Sequence, residues 1–203
     1  MKLLQAMILG VLALVQAHSA FAFGVERFVE GVHYLRFDKV EKTPNTVVEF
    51  FSLGCPHCAH LEPELEKWLA TKPEAVKFAR IPATWNPRFE FLARVYLALQ
   101  ASGQDQKLVP PLFDYLHKDQ KPLTNVDEAV AFVKAQGGDA EGFRKAFDSS
   151  DRTTELKKSE SLFMTYEMRG VPALLVNGQY TVSVSQAGGV AEMFEIVAFL
   201  LTK

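Results

Sequence analysis

Cysteine is scarce in this chain: only Cys55 and Cys58 occur among 203 residues, and Pro56-His57 separates them. Exported domains that rely on disulfides usually carry several pairs. A bridge across two intervening residues also closes too small a loop to restrict the unfolded chain strongly. The composition is 48% hydrophobic with 16 Phe, which is enough to build a core without covalent bridges. The scarcity therefore argues against a purely structural disulfide.

The chain also lacks an excess of charge of either sign. It has 22 basic and 24 acidic residues, a formal net charge of −2. No Lys/Arg cluster or alternation of aromatic and basic residues follows the pattern of nucleic-acid binding proteins. No internal repeat or low-complexity segment is visible. We therefore expect a globular protein that does not bind nucleic acid.

The one long apolar run is too short to span a membrane. It covers residues 6–15, whereas a membrane span needs about 20 residues. Lys2 precedes the run and Ala20-Phe21-Ala22 follows it, which is the arrangement of a secretory signal peptide. We predict a signal peptide over residues 1–22, cleaved after Ala22, with an uncleaved anchor as the alternative. The remaining length suits one domain, or one domain with an insertion.

The hydrophobic pattern predicts strands and helices on both sides of a helical block. A strand is predicted over residues 46–52, a helix starting at or near the cysteine pair, and a second strand over 75–81. Asn177-Gly178 lies between the apolar runs 173–176 and 179–182, which predicts a β-hairpin. An amphipathic helix is predicted over residues 190–201.

About five helices are predicted between the second strand and the hairpin. Asn86-Pro87 has the pattern of an N-cap followed by proline at the first helical position. Asn125 and Glu128 resemble a capping box. The other predicted helices cover residues 110–117, 139–147 and 151–168.

The cysteine pair permits three kinds of chemistry. A purely structural disulfide is disfavoured, because the loop that it would close is small and the apolar composition can build a core without it. A zinc site needs four ligands, whereas only two sulfurs and the nearby His57 and His60 are available; Cu(I) bound by Cys55, Cys58 and His60 is the softer-metal alternative. A redox pair is favoured because Cys55 lies at a predicted helix N-terminus, where backbone N–H groups and His57 stabilise a thiolate. Cys58, one turn later, would be the resolving thiol.

Four segments together resemble the DsbA family of periplasmic thiol:disulfide oxidoreductases: VEFFS (48–52), CPHC (55–58), VPPLF (109–113) and RGVPALLVNG (169–178). The resemblance extends from about residue 28 to 199. It implies an α/β, thioredoxin-like fold with an inserted helical domain. The implied division is 23–85 for the first part of the thioredoxin-like domain, 86–168 for the insertion and 169–203 for the second part. This family is itself a standard example of a low-pKa cysteine and an oxidising disulfide.

The resemblance also implies the site residues. Cys55, Pro56, His57 and Cys58 form the redox motif, and Pro172 is expected to be a cis-proline that faces the disulfide beside substrate-binding Val171. Separately from the resemblance, Leu65 is expected to line a substrate groove, as one of the apolar residues that could contact unfolded substrates. Glu49 is expected beneath the site, where a raised pKa would let it exchange a proton with Cys58; the alternative is an edge-strand residue pointing into water. Arg80 and Glu62 are candidate charged neighbours of the site.

The resemblance implies that the protein donates its Cys55–Cys58 disulfide to reduced or unfolded exported proteins in the periplasm. It also implies reoxidation by a DsbB-like membrane quinone reductase, with no bound cofactor or metal. A monomer is expected, since no dimerisation domain is visible. The alternatives are a reductase or isomerase kept reduced by another membrane partner, and a non-catalytic protein that binds copper or peptides.

Overall fold

The computed structural model describes residues 26–203, so the predicted signal peptide lies outside the described residues. The fold is built on a five-stranded sheet with the spatial order β1-β5-β4-β2-β3. Only β2 and β3 are parallel; the other neighbouring strands are antiparallel. The strands are β1 (Leu35–Arg36), β2 (Thr46–Phe51), β3 (Lys77–Pro82), β4 (Ala173–Val176) and β5 (Tyr180–Ser183).

Within residues 26–203, eight α-helices and one π-helical turn surround the sheet. The helices are α1 (Pro56–Thr71), α2 (Pro87–Ala101), α3 (Asp105–Phe113), α4 (Val126–Ala135), α5 (Ala140–Asp148), α6 (Asp151–Thr165), α7 (Val184–Ala187) and α8 (Val190–Leu201). The π-helical turn (Asp114–Lys118) continues directly from α3. Helices α2 to α6 all lie between β3 and β4 in sequence, inside the 86–168 segment. The domain boundaries themselves stay a prediction.

Strand β2, an interior strand between β4 and β3, has buried residues on both of its faces. Val47 and Phe51 point to one face, as expected from the period of two in a strand, and Val47 packs in the cluster formed with α8. Phe50 points to the other face and packs against Phe163 of α6 and Tyr166 just beyond it. Both faces are therefore covered, which explains why β2 is an almost uninterrupted apolar run.

Local sequence signals account for several helix ends. Asn86 accepts a hydrogen bond from the Phe89 backbone N–H at 2.9 Å, so the predicted N-cap of α2 is confirmed. Asn125 caps α4 in the same way. The predicted capping box is incomplete, because the Glu128 side chain accepts from the Thr124 backbone N–H instead of that of Asn125. The predicted hairpin between β4 and β5 is confirmed.

The third helical segment differs from its prediction. Instead of starting at Pro110, α3 starts at Asp105 and carries Pro110 and Pro111 in its interior. Burial of Leu108 and Leu112 on one helical face offsets the backbone hydrogen bonds that proline removes. After α3, the Asp119 N–H bonds to the Asp114 carbonyl, five residues back, which widens the chain into the π-helical turn.

Small differences occur at other elements. Strand β3 continues through Pro82, which an edge strand tolerates because its outer N–H groups need no ladder partner. The two-residue β1 and the four-residue α7 were not predicted, being too short for a hydrophobic period. Within residues 26–203, no helix is both long enough and apolar enough to cross a membrane.

Candidate active site

The cysteine pair lies where the chain passes from strand β2 into helix α1. Cys55 is the N-cap of α1, Pro56 occupies the first helical position, and Cys58 follows within the first turn. The preceding turn is closed by the Cys55 N–H bonding to the Ser52 carbonyl at 3.1 Å. The Cys55 side chain retains 7% exposure whereas Cys58 has none, and both are free thiols. Only Cys55 is therefore open to attack from outside.

The two thiols have opposite electrostatic surroundings. The pKa of Cys55 falls to about 6, first because the Cys58 thiol donates a hydrogen bond to its sulfur. Backbone N–H groups of Cys58 and His57 and the charge of the exposed His57 imidazole lower it further, against an opposing effect of burial. Burial raises the pKa of Cys58 far above its usual value. The pair therefore consists of one stabilised thiolate and one persistent thiol.

The loop between α6 and β4 faces Cys55. The Val171–Pro172 peptide bond is cis, which confirms the expectation from the resemblance. The Val171 carbonyl oxygen lies 3.5 Å from the Cys55 sulfur and accepts a hydrogen bond from it when Cys55 is protonated. Pro172 is buried while Val171 is half-buried. This loop therefore presents backbone groups directly beside the reactive sulfur.

A groove of about 770 Å³ opens next to this loop. His57 and His60 form its rim nearest to the cysteines. Its apolar lining comes from β1, from the cis-proline loop and from the segment around α7: Leu35, Phe37, Met168, Val171, Val184 and Val190. An extended apolar segment could lie in this groove with its backbone next to Cys55.

Leu65, expected to line a groove, does not do so. Its side chain has no exposed surface. It follows Leu61 by four residues, so both lie on the same buried face of α1. Apart from His57 and His60, the groove is lined by residues remote from α1 in sequence, which the helix periodicity could not identify.

A buried cluster of three charges lies beneath the cysteines. Glu49 on β2 pairs in register with Arg80 on β3, and its carboxylate accepts a hydrogen bond from Arg80 Nε at 2.7 Å. Arg80 also donates to Glu62 of α1 at 2.6 Å. Glu49 is fully buried on a central strand, so the edge-strand alternative is excluded.

The cluster contains two carboxyl groups, Glu49 and Glu62, but only one cation, Arg80. Burial raises the pKa of Glu49 to about 7, with Arg80 opposing the shift and Glu62 adding to it. Burial raises the pKa of Glu62 as well. The Oε1 atoms of both residues have no hydrogen-bond partner. A carboxyl with a pKa near neutrality, whose charge also raises the pKa of Cys58, is suited to exchange a proton with that thiol.

The structure makes Arg80 and Glu62, the candidate charged neighbours of the site, part of the buried cluster. Glu62 lies four residues after Cys58, so helical spacing alone places it on the same face. The Arg80 contact depends on the parallel register of β2 and β3, which a single sequence does not reveal. Among residues 26–203, no group of three or more His, Cys, Asp or Glu side chains is arranged to hold a metal ion.

Comparisons with known proteins agree with this geometry. The family model described as a DSBA-like thioredoxin domain matches residues 77–197, and a thioredoxin model matches residues 33–95. The thiol:disulfide interchange protein DsbA of Azotobacter vinelandii is 34% identical over 155 residues, covering 76% of this chain and 72% of that protein. DsbA of Pseudomonas aeruginosa PAO1 is 32% identical over 157 residues, covering 77% and 74%. The crystal structure of Pseudomonas aeruginosa DsbA superposes with a TM-score of 0.82 at 28% identity, covering 88% of this chain and 95% of that one.

Proposed function

The chain belongs to the DsbA family of thiol:disulfide interchange proteins, and on that premise we propose that the Cys55–Cys58 disulfide is donated to reduced, newly exported proteins. The protein is a thiol:disulfide oxidoreductase with a thioredoxin-like fold. One observation carries the proposal: the accessible thiol has a pKa of about 6, while its partner is buried with a raised pKa. Stabilising the Cys55 thiolate stabilises the reduced form, which makes the disulfide a stronger oxidant.

The first step is attack of a substrate thiolate on the Cys55 sulfur. The substrate thiolate attacks Cys55 because Cys58 is fully buried and cannot be reached. A sulfur–sulfur bond forms between substrate and Cys55 while the Cys55–Cys58 bond breaks, and Cys58 leaves with the electron pair. The raised pKa of Cys58 means that this sulfur takes up a proton. Glu49, with a pKa near 7, supplies it.

The second step releases the product. A second substrate thiolate attacks the substrate sulfur of the mixed disulfide and expels Cys55. The stabilised Cys55 thiolate is a good leaving group because a thiol of lower pKa leaves faster. The substrate has lost two electrons and gained a disulfide, and the protein is left as a dithiol. The redox-active disulfide is the only redox group that this cycle requires.

Substrates are proposed to bind as extended segments in the groove beside the cis-proline loop. The Val171 carbonyl lies at hydrogen-bond distance from Cys55, so a segment paired with this loop would place its cysteine near the sulfur. The apolar lining favours segments that are still unfolded, since such segments expose hydrophobic side chains.

A complete cycle requires an electron acceptor and an oxidising compartment. The family resemblance supports a periplasmic location, reached through the signal peptide of residues 1–22 with cleavage after Ala22. It also supports reoxidation by a DsbB-like membrane quinone reductase. We propose that the protein acts as a monomer, with the helical segment 86–168 as an insertion in the thioredoxin-like domain.

Two cysteine variants test the proposal with a reduced test peptide. Cys55→Ser removes the attacked sulfur and should abolish disulfide transfer. Cys58→Ser leaves Cys55 without a resolving thiol. When it is given the oxidised peptide instead, its Cys55 thiolate attacks the peptide disulfide and expels one peptide thiolate, and the mixed disulfide should accumulate, visible by mass spectrometry. Lys134→Ala, an exposed change on α4 outside the groove, serves as the control and should retain transfer. Full peptide oxidation by Cys55→Ser would refute the proposal.

A further inference from the structure

The turn that carries Cys55 makes a contact with the helical segment that the mechanism above does not use. His117 Nε2 lies 2.8 Å from the carbonyl oxygen of Leu53, two residues before Cys55 and 64 residues away in sequence. A carbonyl oxygen can only accept, so Nε2 carries the hydrogen and donates it. His117 lies in the π-helical turn, a type of local widening that is frequent at functional sites.

Most hydrogen bonds of this turn come from within it, and His117 adds a side-chain hydrogen bond from the helical segment. The Cys55 N–H bonds to the Ser52 carbonyl, and the Gly54 N–H bonds to the Ser52 hydroxyl at 3.1 Å. Within residues 26–203, no backbone N–H reaches the Leu53 carbonyl. Leu53 is buried, so without His117 its carbonyl would lack a hydrogen bond.

Residues of the helical segment also pack against the same turn. A Cβ at Gly54 would lie 3.0 Å from Leu92 Cδ1 and 3.2 Å from Phe89 Cε1, so α2 abuts the turn closely. The His117 ring lies 6.1 Å from that of buried Phe113, which restricts its orientation. The helical segment therefore contacts the turn by packing at Gly54 and by a hydrogen bond at Leu53.

We propose that His117 is a positioning residue that keeps Cys55 aligned with the start of α1 and so maintains the oxidising strength of the disulfide. In its extended N-cap conformation Cys55 faces the start of α1, where the backbone N–H groups of Cys58 and His57 lower the pKa of its thiol. An unpaired Leu53 carbonyl would favour rotation of the turn toward water. Such a rotation would move the sulfur away from those donors and weaken the thiolate.

The test compares His117→Leu, which removes the donor, with His117→Gln, whose amide nitrogen can still donate. Two quantities are measured: the thiolate absorbance of Cys55 against pH, and the equilibrium of the Cys55–Cys58 pair with glutathione. In His117→Leu we expect the thiolate-to-thiol ratio of Cys55 at a given pH to fall about tenfold, the factor equivalent to one pKa unit, and the oxidising equilibrium constant to fall by up to the same factor. His117→Gln should stay within about twofold of the wild type.

Arg94→Met is the matched control, because Arg94 also donates to backbone carbonyls, those of Phe147 and Ser149, but away from the turn. Arg94→Met should lower the stability of the fold but leave the Cys55 titration and the equilibrium with glutathione within about twofold of the wild type. A His117→Leu protein that titrates like the wild type would overturn the positioning role, as would an equal shift in Arg94→Met. The inference rests on the proposed function, but an inert disulfide would already be seen in the wild type, so the two failures are distinguishable.

A measurement on the unmutated protein covers the case in which His117→Leu does not fold. The ¹⁵N resonances of the His117 imidazole should report the tautomer with hydrogen on Nε2, and they should change when the dithiol is oxidised. A hydrogen on Nδ1 alone, or resonances identical in both redox states, would contradict the proposal.

Discussion

Replacing Glu49 by Gln is the sharpest test of the buried charge cluster. Glutamine keeps the shape of the side chain but cannot ionise, so it imitates the protonated carboxyl. In the folded protein the pKa of Glu49 is raised from 4.5 to about 7. At about 1.4 kcal/mol per pKa unit, ionising this carboxyl costs about 3 kcal/mol more in the folded than in the unfolded state.

The sign of the pH dependence follows from this shift. A carboxyl with a raised folded pKa leaves stability intact below pH 4.5 and reduces it as the pH rises toward and through about 7. The wild type should therefore lose about 3 kcal/mol from this group between pH 4.5 and 8, and Glu49→Gln should lose none. We expect equal stability near pH 4 and a variant that is more stable by up to about 3 kcal/mol at pH 8.

Urea unfolding of the reduced proteins at intervals from pH 4 to 9 provides the measurement. Glu160→Gln, an exposed substitution on α6, is the control, and its curve should follow the wild type. Parallel curves for Glu49→Gln and the wild type between pH 4.5 and 8 would refute the raised pKa. The same variant should also resolve mixed disulfides more slowly; unaltered kinetics would leave Glu49 a structural residue only.

Further expected outcomes concern three other side chains. His57→Ala should raise the pKa of Cys55 and weaken the oxidant, as followed by thiolate absorbance against pH; an unchanged titration would remove the role of the imidazole. Arg80→Met should destabilise the protein by about 3–5 kcal/mol, because it leaves two buried carboxyls without their cation, and it should alter the reactivity of Cys58 toward alkylating agents. Arg152→Met removes a buried arginine in the helical segment and should destabilise the fold without altering the reactivity of Cys58. Equal Cys58 reactivity in Arg80→Met and Arg152→Met would contradict the role of the cluster.

Local sequence patterns were sufficient for the elements that carry the reactive sulfurs. An apolar β-branched run, then CPHC, then a period of three to four residues predicted β2, the turn and α1 as they occur. Asn177-Gly178 predicted the hairpin of β4 and β5 for the same reason, because turn chemistry is encoded by adjacent residues. These signals involve contacts within a few residues.

Features that depend on distant contacts were not accessible in this way. The pairing of Glu49 with Arg80 requires the register of two parallel strands, and the contact of His117 with Leu53 requires the packing of the helical segment on the turn. The π-helical turn arises from a hydrogen bond shifted by one residue, which hydrophobic periodicity does not report. Leu65 is a different case, since its spacing from Leu61 already indicated a buried position.

The equilibrium of the Cys55–Cys58 pair with glutathione tests the central claim most directly. A thiolate stabilised to a pKa of about 6 favours the reduced protein, so the disulfide should oxidise glutathione and the dithiol should predominate even when oxidised glutathione is abundant. A pair that remains a disulfide in excess reduced glutathione would identify a stable bridge or a reductant, and would contradict the assignment as a disulfide donor.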